Sequence, residues 1–228
     1  MKHSIALIVF DISGTTVKDN GEITAAFEKT FQQKEYTIPK EKIAAVMGYK
    51  KTDAILKLLE EFAEDKSVIN EKYINEMHDF FIENMINYYT TSTELEPLPY
   101  VMQTFQFLKN NNIKIGLDTG FFSDITNVVV DRLGWLKNNV IDFVISSNEV
   151  KEGRPQPFMI QELMKRANVT DSKKVIKVGD TEVDVREGRN AGCLFSIAVT
   201  TGAYTKEQLQ LHQPDFIIDS MQQLRGLL

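Results

Sequence analysis

Hydrophobic positions fall into two textures along this chain. Ile5-Ala6-Leu7-Ile8-Val9-Phe10 is an unbroken apolar run, without alternation, that ends at a polar Asp11-Ile12-Ser13-Gly14-Thr15 segment. Such a run predicts a strand covered on both faces in a parallel sheet. From about Glu22 to Thr91 the apolar positions recur at helical spacing: Ala25, Phe27 and Phe31; Ile43 and Val46; Ile55, Leu58, Leu59 and Phe62; then Tyr73, Met77, Phe80, Phe81 and Met85. That spacing predicts several helices and no strand. Beyond Glu94-Leu95-Glu96-Pro97-Leu98-Pro99 the texture alternates. It predicts helix 100–109, strand 113–117, helix 124–133, strand 143–146, helix 157–167, strand 175–178, helix 183–191, strand 195–199, a short helix from Lys206 and strand 216–218.

Strands alternating with helices make a doubly wound α/β fold with a mainly parallel sheet. Because the first strand is separated from the rest by the helical stretch, the organisation expected is a core of residues 1–15 and 97–228 with an all-helical module, 16–96, inserted as a cap. No internal repeat or low-complexity tract interrupts this reading.

Composition narrows the function classes. The 228 residues are 43% hydrophobic and 25% charged, ordinary for a globular protein, and the formal charge of −6 comes without a Lys/Arg run. Nucleic acid and anionic membrane surfaces are therefore not expected partners. The single cysteine, Cys193, forms no intramolecular disulfide, and the run at Ile5–Phe10 is too short for a signal segment or a span, so a cytoplasmic protein is expected.

In open parallel sheets, ligands bind beyond the carboxyl ends of the strands. Four such ends are polar here: 11–15, 118–120, 146–148 and 179–184. Asp11, Asp180 and Asp184 would gather three carboxylates, a set that favours a hard divalent cation with oxygen ligands, Mg²⁺ above all. Thr15, Thr119 and the amides of Gly14 and Gly120 offer donors to a tetrahedral oxyanion, and Arg154 after Gly153 supplies a permanent cation. Together they read as a phosphoryl cradle.

Asp11-Ile12-Ser13-Gly14-Thr15, Thr119-Gly120, Gly153-Arg154-Pro155 and Val178-Gly179-Asp180-Thr181 with Asp184 resemble the four motifs of the haloacid dehalogenase superfamily. Residues 176–181, with Glu187-Gly188-Arg189-Asn190-Ala191-Gly192 and Arg154 where most relatives carry Lys, resemble its phosphonatase branch. The resemblance implies a Rossmann-like core with a cap, Asp11 as the nucleophile forming an aspartyl-phosphate, and the Ser13 main-chain carbonyl and Asp180 joining Asp11 on Mg²⁺. It further implies that Asp184 supports the metal and that Thr119 and Arg154 hold the transferring phosphoryl group.

Phosphatases of the superfamily carry Asp where Ser13 stands, and a serine hydroxyl is no general acid near neutral pH. Losing such an acid forfeits about 10²–10⁴ in rate. The expected substrate is thus a small phosphonate or phosphorylated metabolite whose leaving group needs no proton, such as a carbon activated as an imine. In the phosphonatase branch a Met-Gly-x-x-Lys lysine forms that imine, and Met47-Gly48-Tyr49-Lys50-Lys51 places Lys51 there. Ala54 stands where the branch has His, and Phe121 where it has Tyr. Alternative readings are a phosphomonoesterase of phosphoglycolate-phosphatase type, a phospho-ligand-binding protein with little turnover, and a metal-free dehalogenase, the last disfavoured by Asp180 and Asp184. Either a monomer or a homodimer is compatible with the sequence, and His3, His78, His212 and Cys193 carry no assigned role.

Overall fold

A computed structural model describes residues 4–228; His3 lies outside them. Six parallel strands form one sheet in the order β3-β2-β1-β4-β5-β6. They are β1 (Leu7–Asp11), β2 (Lys114–Thr119), β3 (Phe143–Ser146), β4 (Val175–Gly179), β5 (Phe195–Val199) and β6 (Phe216–Ile218). Chain order reverses direction between β1 and β4, and a crevice opens at such a switch point. The crossovers are α5 (Val101–Asn110), α6 (Ser123–Leu133), α7 (Phe158–Arg166), α8 (Glu182–Asn190) and α9 (Lys206–Leu211).

Period-two geometry sends alternate residues of β1 to opposite faces. Ile8 and Phe10 join the larger apolar cluster, where Phe10 meets Phe105 edge-on at 5.2 Å and Phe105 meets Trp135 at 5.6 Å. Leu7 and Val9 pack on the other face with Ile145, Met159, Ile160 and Leu163. The double burial explains the absence of alternation in the sequence. β1 and β2 each run further than their apolar runs predict, to Asp11 and Thr119, and their register sets Asp11 directly beside Asp118.

Between β1 and α5 lie four helices: α1 (Glu22–Gln32), α2 (Lys40–Ala44), α3 (Lys51–Phe62) and α4 (Glu71–Thr91). Asn70 caps α4, its side chain accepting the Tyr73 amide at 3.0 Å. Phe27 of α1 packs on Phe81 of α4 with ring centroids 4.8 Å apart. The two connections to the sheet run side by side: Val17 bridges Pro97, Lys18 N donates to Glu96 O at 3.1 Å, and Leu98 N to Thr16 O at 3.0 Å. Arg132 of α6 donates to the carbonyls of Tyr89 and Ser92, tying down the C-terminus of α4. A final short helix, α10 (Met221–Leu224), is too brief to leave a periodic signal.

At the other end of this helical segment its backbone lies directly on the core. A Cβ on Gly120 would sit 2.2 Å from Tyr49 O, and one on Gly48, at φ +80°, would sit 2.4 Å from Thr181 Oγ1. Gly48 is required by its conformation as well as its surroundings. Gly120→Ala is expected to push the 48–49 turn off the sheet at an overpacking cost of about 1–3 kcal/mol. Hydrogen exchange at residues 47–52 should accelerate, and unchanged exchange would show that the two backbones do not press together.

Candidate active site

Asp11 ends β1 with 5% of its surface exposed, above a buried cluster of charge. Arg154 Nη1 donates to Asp11 Oδ1 at 2.6 Å and lies 3.1 Å from Asp184 Oδ1. Its Nη2 donates to Asp118 Oδ1 and, at 2.7 Å, to the Asp118 carbonyl; its Nε is 3.2 Å from Glu187 Oε2. Lys177, in the middle of β4, donates to the same Asp118 oxygen and lies 3.2 Å from both Asp184 Oδ1 and Glu187 Oε2. All of these side chains are buried.

Burial disfavours charge, and the neighbours decide which groups keep it. Against its burial, Asp118 is held below the usual carboxylate range by Arg154 and Lys177. Burial raises Glu187 well above that range, with Asp118 adding to the effect, which favours its protonated form. Asp11 is pushed up to about 6, first by burial, while Arg154 pulls it down and Asp184 pushes it up. Asp180 is raised well above the usual range by burial and by Asp11 and Asp184.

Carboxylate oxygens of Asp11, Asp118 and Asp184 lie within 4.8 Å of one another, close enough to hold a divalent cation. Their inward oxygens already face Arg154 and Lys177, and Asp184 Oδ2 accepts from the Thr181 amide at 3.2 Å and hydroxyl at 2.6 Å. Asp180 is different: it is buried, and among the described residues no Lys or Arg pairs with it. Its oxygens accept only the Thr15 hydroxyl at 2.9 Å and the Ala203 amide at 2.7 Å. Asp180 is thus a buried carboxyl without a cation beside it, close enough to Asp11 and Asp184 for their charges to raise it further. A divalent ion between Asp11 and Asp180 would relieve that repulsion, so the donor set fits a hard cation.

A cavity of ≈ 30 Å³ lies over Asp11, room for a water or two but not for a phosphoryl compound. Asp11, Ser13, Thr119, Gly120 and Asp180 line it from the sheet; Ile23, Met47, Gly48 and Lys51 line it from the helical segment. Lys51 begins α3 with 3% exposure and its Nζ donates to Tyr49 O at 3.2 Å. Burial pushes the ammonium down to about 8. Ser13 Oγ is buried there without a hydrogen bond, which costs about 1–3 kcal/mol until a partner arrives. Thr119 Oγ1 accepts the Phe121 amide at 3.1 Å, which leaves its proton free to donate.

Three expected phosphoryl donors are committed to other partners: the Gly14 amide donates to Val17 O at 2.7 Å, and the other two are Thr15 and Arg154. Thr15 is fully buried off the cavity with its hydroxyl committed to Asp180. Arg154 is enclosed beneath Asp11 because four acidic side chains surround its guanidinium, and it does not line the cavity. Lys177, Glu187 and Asp19, a further cavity residue, were missed by sequence reasoning. A lone Lys inside the apolar run Val175–Val178 was the available signal, together with Glu187 standing one turn after Asp184 on the same helix face.

Residues 8–199 match the family described as haloacid dehalogenase-like hydrolase, and the chain belongs to that family. Within it the chain is a hydrolase of the phosphonatase-like group. It is 32% identical over 199 residues to a phosphonoacetaldehyde hydrolase of Latilactobacillus sakei, covering 83% of this chain and 74% of the relative. It is 31% identical over 226 residues to one from Bacillus mycoides, covering 92% and 83%. The fold is shared with a phosphonoacetaldehyde hydrolase-like protein from Oleispira antarctica at TM-score 0.84 and 20% identity, over 98% of this chain and 91% of that one. No helix among the described residues is long and apolar enough to cross a membrane.

Removing one partner of a buried ion pair leaves the other uncompensated, at about 3–5 kcal/mol. Lys177→Met is expected to destabilise the fold by that amount in urea titration, whereas Glu187→Gln, which replaces a protonated carboxyl by its near isostere, should cost far less. Equal losses would show that Glu187 is ionised.

Proposed function

We propose that this protein is a Mg²⁺-dependent hydrolase that cleaves the carbon–phosphorus bond of a small phosphonate aldehyde through an Asp11 phosphate. The observation that carries the reading is Lys51, a buried amine in the same narrow cavity as Asp11. A lysine brought to about 8 supplies free amine at neutral pH and attacks an aldehyde carbon. Loss of water then gives an imine, protonated as the iminium, adjacent to the carbon that bears phosphorus.

Asp11 attacks phosphorus in line, and the electrons of the P–C bond pass to the iminium nitrogen, giving an enamine that takes a proton on carbon and is then hydrolysed to release the aldehyde and the Lys51 amine. No oxygen leaves, so Ser13 is under no demand to donate a proton. Arg154, bonded to Asp11 Oδ1, orients the carboxylate so that Oδ2 is the attacking atom. Thr119 and the Gly120 turn would receive the phosphoryl oxygens. The donors suited to Mg²⁺ are Asp11, the Ser13 carbonyl and Asp180, with Asp184 behind them; the ion supplies charge neutralisation at the phosphoryl group.

In this reading residues 16–96 are a cap hinged on the paired connections at Val17 and Pro97. A cavity of ≈ 30 Å³ requires the cap to lift for substrate entry and to close before reaction, excluding water from the imine. Phosphate esters fit less well, because an alkoxide leaving group needs the acid that Ser13 lacks.

The direct test is Mg²⁺-dependent phosphate release from phosphonoacetaldehyde with borohydride present. Inactivation by borohydride, with the added mass mapped to Lys51, is the expected result; borohydride-insensitive turnover, or turnover of phosphate esters alone, would overturn it. A second expectation concerns pH. Below about 8 Lys51 is mainly protonated, so kcat/KM should rise up to tenfold per pH unit and level off above about 8. A bound cation disfavours the ammonium further, so the inflection falls at or below that value, and an inflection well above it would contradict a buried Lys51.

A further inference from the structure

One ionisable group in the cavity has no part in the chemistry above. Asp19, in the connection between β1 and α1, lines the cavity with Asp11, Ser13 and Lys51. Its Oδ1 accepts the Gly21 amide at 2.7 Å. Its carboxyl meets that of Glu22, which is buried and accepts the Tyr89 hydroxyl on Oε1 at 3.0 Å and the Asn20 amide on Oε2 at 2.7 Å. Among the described residues no Lys or Arg pairs with either carboxyl. Burial, then the charge of Asp19, pushes Glu22 up to about 7, and Asp19 is the carboxyl of the two that lines the cavity.

A second observation points to what this carboxylate serves. Ser13 Oγ, buried without a well-formed hydrogen bond and neighbouring the Tyr89 hydroxyl, belongs to a residue that lines the same cavity as Asp19, and the volume of that cavity matches a water molecule or two. A hydroxyl and a carboxyl on the wall of one water-sized cavity make a seat for one water, with Ser13 able to donate to it and Asp19 able to accept from it.

We infer that Asp19 is the base for the second half-reaction, taking a proton from the water that hydrolyses the Asp11 phosphate while Ser13 orients that water and the Glu22–Tyr89 pair positions Asp19. The water oxygen bonds to phosphorus, the Asp11 Oδ–P bond breaks with its electron pair returning to the Asp11 carboxylate, and the proton passes to Asp19 and then to solvent as phosphate leaves. This inference rests on Asp11 forming the covalent phosphate, and it supplies the acid–base group absent at position 13.

Acetyl phosphate tests it without any imine, because its leaving group needs no proton and Lys51 has no carbonyl to activate. In rapid-quench experiments with Mg²⁺, intact mass follows formation and decay of the phosphoenzyme. Asp19→Asn is expected to be phosphorylated at the wild-type rate but to lose its phosphate about 10²-fold more slowly or beyond, so that the covalent form accumulates. Tyr89→Phe and Glu22→Gln, acting through position alone, should slow decay several-fold and leave formation unchanged. Decay at the wild-type rate in Asp19→Asn, or slowed formation instead of slowed decay, overturns the role of Asp19. Wild-type protein that never carries phosphate overturns the inference together with the nucleophile. Absence of phosphonoacetaldehyde turnover alongside a trapped Asp19→Asn phosphoenzyme would overturn the phosphonatase reading and leave this one standing.

Discussion

Two buried cations, Arg154 and Lys177, hold the arrangement of the candidate active site. Packed beneath the ends of β1, β2 and β4, they draw in Asp11, Asp118, Asp184 and Glu187 from separate parts of the chain. In a low-dielectric interior such attractions are strong, but each ion also forfeits its hydration, so the cluster is stable only as a complete set. Burial and Asp118 push Glu187 toward its protonated form, which eases the surplus of negative charge. Asp118 bears the densest pairing and lies in register with Asp11, so Asp11 inherits its orientation from a residue that does not line the cavity. Arg154 completes that chain of constraint by holding one oxygen of Asp11 and leaving the other to the cavity.

Closure of the helical segment supplies the second constraint. Gly48 and Gly120 let two backbones meet where a single methyl group would not fit, and that contact delivers Lys51 to the cavity wall. The same closure removes Lys51 from water, and burial is the first cause of its lowered affinity for a proton. Position and reactivity of the amine thus share one origin. In the proposed reaction a lifted segment would return Lys51 to water and to an ordinary ammonium, so substrate entry and amine activation would be opposed states of one motion.

Much of the fold was legible because parallel strands buried on both faces write themselves as apolar runs. β3, β5 and β6 fall where those runs predict, and β1 and β2 differ only at their ends, where acidic residues continue the ladder. The helices of residues 22–91 were legible from helical spacing, and the polar strand ends pointed to the crevice beside β1. What the pattern did not disclose was competition between side chains. Thr15 and Arg154 have the right chemistry for a phosphoryl group, but Asp180 lies 2.9 Å from one and four acidic side chains surround the other. Asp19 was hidden for a different reason: it lies in an irregular connection, where spacing carries no information about which way a side chain faces.

Commitment of Arg154 changes where the charge for the reaction must come from. A phosphoryl group entering the cavity would meet Asp11 and Asp180, and Lys51 is the only Lys or Arg lining it among the described residues. In the proposed reaction Lys51 would not act as a cation while it serves as a free amine. The attraction needed to bring a dianionic phosphonate onto two carboxyl groups would then fall to a divalent ion and to hydrogen bonds from the Thr119–Gly120 turn. In the proposed reaction the iminium nitrogen would add a positive charge on the leaving-group side of phosphorus. That charge would appear only for a carbonyl substrate, so a phosphate ester would lose both the electron sink and the electrostatic balance, and the proposed selectivity follows from charge accounting rather than from the shape of the cavity.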